Sequence, residues 1–109
     1  MATPLTVDTD RSNDGKLRVV ASGEIDLSNI RVFARALNDA ASSGGEITVD
    51  LSEVEYLYSG AINALFTHAD RIDLIIANRF LIPALTVSGL TELATVKRNP
   101  PAPNDHCRT

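Results

Sequence analysis

The sequence predicts an α/β domain. Its sheet is mixed but mostly parallel, fed by a leading antiparallel hairpin, with helices packed mainly on one face. Three observations predict this. Two short apolar runs near the N-terminal end flank a turn of Arg, Ser, Asn, Asp and Gly. Beyond them, stretches of period-two alternation take turns with stretches of helical period, the pattern of strands joined by crossover helices. Finally, 109 residues with 44% hydrophobic and 22% charged side chains are enough for one core and too few for two.

Each element has its own warrant. Leu5-Thr6-Val7 and Leu17 to Ala21 read as two strands. Arg11-Ser12-Asn13-Asp14-Gly15 between them is rich in residues that tolerate a turn, so the two form a hairpin, closed by Gly23-Glu24-Ile25-Asp26. Ser28 is placed to cap a first helix. There Ile30, Phe33, Ala34, Leu37, Ala40 and Ala41 fall on one face, and Ser42-Ser43-Gly44-Gly45 stops it. Ile47, Val49 and Leu51 alternate with Thr48 and Asp50 as in a half-buried strand. Ser52 to Tyr58 reads as a loop. A second helix then places Ile62, Leu65, Phe66 and Ala69 on one face. Ile72 to Ala77 is short and β-branched, hence a strand. Asn78 is placed to cap a third helix, Arg79 to Val87, which Pro83 should bend or shorten from within. Ser88-Gly89 ends it, and Leu93 to Val96 is the last strand. The domain thus spans residues 1–98. Residues 99–109, with three prolines, are expected to be a disordered tail.

Composition narrows the function. A net charge of −4 offers no electrostatic footprint for nucleic acid and disfavours acidic lipid surfaces. Cys107 is the single cysteine, so no internal disulfide can form. His68 and His106 have no partners at metal-ligand spacing, and no metal or other cofactor is expected. Met1-Ala2-Thr3-Pro4 lacks a basic region followed by an apolar run, and the most apolar window, Ile72 to Leu85, is broken by Asp73, Asn78 and Arg79. The expectation is a cytoplasmic chain with no membrane insertion, a monomer or weak dimer. No Ser-His-Asp pattern, nucleophile elbow or phosphate loop is visible, so no enzyme is expected.

The stretch with most to say is Leu57-Tyr58-Ser59-Gly60. It puts a hydroxyl where a helix begins, and unpaired N–H groups there stabilise a side-chain oxygen or a phosphate. A plain cap and a switch are both consistent with it, and Ser59 is read first as the cap.

Gly23-Glu24-Ile25-Asp26, Val49-Asp50-Leu51-Ser52, Ser59-Gly60 and Ser88-Gly89-Leu90 fall in the order and approximate spacing of the STAS domain. Over Leu5 to Val96 the chain resembles the bacterial anti-sigma factor antagonists in particular. The resemblance implies a non-enzymatic regulator of transcription. Such a protein binds an anti-sigma factor, a serine kinase with an ATP-binding fold, and thereby releases a sigma factor. In that family phosphorylation of a serine at the start of the second helix blocks binding, within the pattern Asp-Ser-Ser-Gly. Here Leu57 stands for the Asp and Tyr58 for the phosphorylated Ser, and only Ser59 and Gly60 match. A one-residue shift there turns a side chain by roughly 100° and moves it about 1.5 Å along the axis. The chain is therefore expected to work without the standard serine switch; Ser59 and Tyr58 remain the hydroxyls to test for phosphorylation. The connection Ala69-Asp70-Arg71 also lacks the Gly-containing turn expected of the family.

The resemblance places a partner-binding surface at three helix starts: Asp26, Leu27 and Ser28; Leu57, Tyr58, Ser59, Gly60 and Asn63; and Asn78 with Arg79. Tyr58 is either its central anchor or a ring folded back over the helix end, and Gly60 allows close approach. Asp26 is an interface carboxylate or simply an Asx turn before the first helix. Two alternatives remain: a STAS accessory subunit docked on the ATPase of a lipid-transporting ABC system, and a STAS paralogue that binds a small ligand or nucleotide.

Overall fold

The computed structural model describes residues 4–11 and 15–98. The expected tail at 99–109, with His106 and Cys107, and the middle of the hairpin turn at 12–14 lie outside the described residues. The elements in order are β1 (Thr6–Arg11), β2 (Leu17–Ile25), α1 (Ile30–Ser42), β3 (Ile47–Leu57), α2 (Ser59–Thr67), β4 (Ile72–Ala77) and α3 (Ile82–Val87). A 3-10 turn (Leu90–Glu92) and β5 (Thr95–Arg98) follow.

One five-stranded sheet has the order β1-β2-β3-β4-β5. β1 and β2 are antiparallel, from Thr6↔Ser22 to Arg11↔Leu17, while β2, β3, β4 and β5 are parallel neighbours. This order explains the placement of the helices. Each parallel crossover moves one strand in the same direction, and right-handed crossovers stepping one way all pass over the same face. Phe33 and Leu37 of α1, Ala61 and Leu65 of α2, Leu85 of α3 and Leu90 are fully buried with Val19, Ala21, Ile25, Val49, Leu51 and Ile75 of the sheet. The helical stripe read from residues 30–41 is thus the core face of α1. Gly44, at φ +88, occupies the left-handed conformation that ends this helix, and its N–H donates to the Ala41 carbonyl. Both outer strands carry charge, Asp8 and Asp10 on β1 and Lys97 and Arg98 on β5, which discourages pairing with a further strand.

Several elements differ from the sequence expectation. The stretch read as a loop, Ser52 to Tyr58, is strand as far as Leu57. Val54 is buried there and pairs with Gly23, so the hairpin's second strand also runs on to Ile25. β1 likewise extends to Arg11. α1 begins after Asn29, not Ser28: the Ser28 hydroxyl donates to Asp26 Oδ1 at 2.6 Å. α2 ends at Thr67, so the buried Ala69 follows the helix. α3 starts only at Ile82, which puts Pro83 in its first turn, where a missing N–H costs nothing. The residues before β5 form the 3-10 turn, which moves the last strand to Thr95–Arg98.

The face opposite the helices carries one nearly buried charge. Asp50 pairs with Val20 on that face, and its side chain is 7% exposed beneath the half-exposed Arg18, with which it forms an ion pair. Oδ1 accepts from the Ser52 N–H at 3.0 Å and the Ser52 hydroxyl at 2.6 Å. Burial alone pushes the carboxyl pKa up, but the Ser52 hydroxyl and N–H and the Arg18 guanidinium outweigh it and hold it below the usual range. A depressed folded pKa stabilises the fold above the unfolded value, about 3.9. That stability is lost as the pH falls through the lower folded value. Asp50→Asn should flatten this part of the acid limb in urea titrations between about pH 5 and 2. An unchanged acid limb in the variant contradicts the assignment.

Candidate functional site

The C-terminal ends of parallel strands are where connections in α/β sheets gather ligands and partners. Two of the three predicted groups meet there. The Tyr58 N–H donates to the Ile25 carbonyl at 2.8 Å, which ties the start of α2 to the β2–α1 connection. In that connection Asp26 Oδ1 accepts from the N–H and the hydroxyl of Ser28, and Asn29 Oδ1 accepts from the Asp26 N–H at 2.9 Å. The Asn29 amide donates to the Glu24 carbonyl. Asp26 therefore forms an Asx turn before α1. The hydrogen bond from the Ser28 hydroxyl holds its carboxyl below the ordinary range. Leu27, between these anchored residues, is 71% exposed.

At the start of α2, Tyr58 occupies the N-cap position and Ser59 is the first helical residue. No side chain caps this end, so the expectation that Ser59 is the cap is corrected. The rise from strand to helix begins one residue earlier than the hydroxyl, because Tyr58 keeps extended torsions (φ −64, ψ 146). Ser59 is exposed. A Cβ added to Gly60 would lie 2.7 Å from Tyr58 Cε2, 2.9 Å from Cδ2 and 3.5 Å from Ile30 Cγ1. The phenol ring thus folds back onto the helix start, and the room made by Gly60 is taken by Tyr58 rather than left for a partner. Leu57 is half-buried against the core, and Asn63 is exposed on the first turns of α2.

The third predicted group sits elsewhere. β4 ends its pairing at Leu51↔Ala77, and β3 continues to Leu57. At roughly 3.3 Å per residue, the β4–α3 connection lies on the order of 10 Å or more back from the start of α2. Asn78 is spent internally there. Its amide donates to the carbonyls of Ser52 at 3.2 Å and Val54 at 2.7 Å, and Oδ1 accepts from the N–H groups of Phe80 and Leu81. Asn78 therefore opens a turn and covers the overhanging edge of β3; it does not cap a helix from Arg79. Asn78→Ala should cost about 2 kcal/mol, read as a drop in thermal unfolding midpoint, since several hydrogen bonds go at once and water replaces only some. A loss within about 0.5 kcal/mol, the level of an ordinary surface change, contradicts this role. Arg79 stacks its guanidinium over the Phe80 ring, 4.9 Å from the centroid.

Sequence reading missed Tyr56 and Phe80, which are 51% and 74% exposed beside these connections. Tyr56 was hidden by the loop reading. Its signal was the alternation of Val54 and Tyr56 with Glu53 and Glu55. The helix expected from Arg79 covers Phe80, whereas α3 begins three residues later, at Ile82. Among the described residues no group of three or more His, Cys, Asp or Glu side chains is placed to hold a metal, and no helix is long and apolar enough to cross a membrane.

No curated protein matches the chain. Among solved structures it is similar to an anti-sigma factor antagonist from Mycobacterium paratuberculosis. The TM-score is 0.78 at 21% identity, covering 86% of this chain and 86% of that one, a likeness that establishes the fold. A family model described as "Mlab, STAS domain" matches residues 9–95. With that match over most of its length, and with a hairpin-led parallel sheet and one-sided helices, the chain belongs to the STAS domain family.

Proposed function

We propose that this protein is a regulatory binding module of the anti-sigma factor antagonist type. It binds an anti-sigma factor of the serine-kinase type and so releases a sigma factor for transcription, without the serine phosphoswitch. The observation that carries the absence of the switch is the tyrosine at the start of α2. Tyr58 stands where the family's phosphoacceptor serine would, and its ring lies on Gly60. A phosphate of about −1.5 to −2 charges has no serine hydroxyl to join at this position. The partner surface is built from Leu27, the Tyr58 ring, Ser59 and Asn63, with Asp26 and Ser28 holding Leu27 in place. A net charge of −4 fits a protein partner better than nucleic acid. Titration of the chain against purified anti-sigma serine kinases of its own genome tests the reading. One of them binds with a Kd in the micromolar range or tighter; if none binds, the reading fails.

A second reading, a STAS accessory subunit resting on the ATPase of a lipid-transporting ABC system, is favoured by the same tyrosine, because a permanently docked subunit needs no phosphoacceptor. Co-purification with such an ATPase, together with no binding to any anti-sigma factor, selects it over the first.

A further inference from the structure

We infer that the chain forms a weak symmetric dimer through the open face of its sheet, opposite the helices and separate from the surface at the start of α2. The strand registers lay two rows of side chains across that face, each running from β1 to β5. One is Asp8, Val20, Asp50, Ile76 and Lys97; the next is Asp10, Arg18, Thr48, Leu74 and Thr95. Val20, Leu74 and Ile76 are half-buried apolar side chains there, while their neighbours Val19, Ile75 and Ala77 point into the core. The helices pack on the other side of the sheet, so these three have no apolar layer above them.

The order of charges along the rows selects a second copy as the occupant. The first row starts on an exposed acid, Asp8, and ends on an exposed base, Lys97, with Val20 and Ile76 between them. A twofold axis parallel to the strands turns each row back onto itself. Asp8 then meets Lys97 of the second copy, and Val20 meets its Ile76, each pair occurring twice. A twofold axis across the strands instead sets Asp8 on Asp8 and Lys97 on Lys97, and opposed like charges reject that arrangement. Asp50 falls near the favoured axis, where it is 7% exposed and already paired with Arg18 of its own chain. Lys16, at the other end of the face, is held by its own Asp73 and Glu46. Glu24 and Glu53 lie past the last β3–β4 pair, Leu51↔Ala77, and outside the overlap. The strands of the two sheets run nearly aligned, a normal sheet-on-sheet packing. Strands about 4.8 Å apart and roughly six residues long give a face of about 20 by 20 Å. That is about half the roughly 800 Å² per partner of a stable complex, so the dissociation constant is on the order of 100 µM.

The test is sedimentation equilibrium of the full chain from about 10 µM to about 1 mM, a range that brackets the expected constant. Asp8→Lys and Lys97→Glu should each weaken dimerisation at least about fivefold. The chain carrying both substitutions restores each pair with its signs reversed and should recover the wild-type association. Both positions are exposed on edge strands, so the thermal midpoints should hold. Dilution followed by NMR should move the amide signals of Val20, Ile76 and Lys97 and leave those of Leu27, Ser59 and Asn63 unmoved. A chain that stays monomeric at about 1 mM overturns the proposal, since the expected constant lies well below that concentration. So do single variants that associate like the wild type, a doubly reversed chain that does not recover, or signal changes centred on the helix starts. The anti-sigma titration reads the start of α2, which the open face leaves free, so either reading can fail while the other stands.

Discussion

Replacing Phe33 with alanine lowers the unfolding free energy by about 4 kcal/mol. Phe33 is the largest fully buried side chain, and it comes from the first turn of α1, where the helix crosses the sheet. Its removal loses the transfer free energy of a ring and leaves a cavity that close-packed neighbours fill only in part. A domain of this size has about 5–15 kcal/mol to lose. With a urea dependence of about 1.5 kcal/mol per molar, the midpoint falls by roughly 2.7 M. Val32, the adjacent residue on the exposed side of α1, is the control. Val32→Ala shifts stability by no more than about 0.5 kcal/mol. Similar urea midpoints for the two variants contradict the packing described above.

If the proposed function holds, Tyr58→Ser turns the start of α2 into a kinase substrate. The substitution puts a serine hydroxyl at the N-cap position and removes the ring from Gly60. Incubated with the cognate anti-sigma kinase and ATP, the variant takes up one phosphate, found by mass spectrometry of the intact chain. An added charge of about −1.5 to −2 in the middle of the proposed partner surface then weakens binding by more than about tenfold. A variant that stays unmodified shows that Tyr58 is not the residue that separates this chain from a switchable one.

Much of the fold was legible in the sequence because its signals are local. The helical stripe from Ile30 to Ala41, the alternation at Ile47 to Leu51 and the β-branched run at Ile72 to Ala77 each announce one face to be buried. What escaped was set by tertiary contacts. Ser52 to Leu57 is polar enough to read as a loop, yet it is strand, because β2 supplies its partner and Asn78 satisfies carbonyls on its far side. The same side chain explains the late start of α3: Asn78 Oδ1 takes the N–H groups of Phe80 and Leu81, and the turn is spent before the helix begins. At the site, the order of residues was readable and their use was not. Ser28 and Ser59 both look like caps in sequence, but the first bonds to Asp26 and the second follows a cap position held by Tyr58. Gly60 was read as room for a partner, and only the direction of the Tyr58 ring shows who occupies that room.

The most direct test of the central claim is to titrate the wild-type chain against the anti-sigma kinase proposed as its partner before and after prolonged incubation with ATP, with intact-mass measurement of both samples. The account predicts no phosphate on Ser59 or Tyr58 and the same affinity in both titrations. Stoichiometric phosphate on Ser59 accompanied by loss of binding would contradict it.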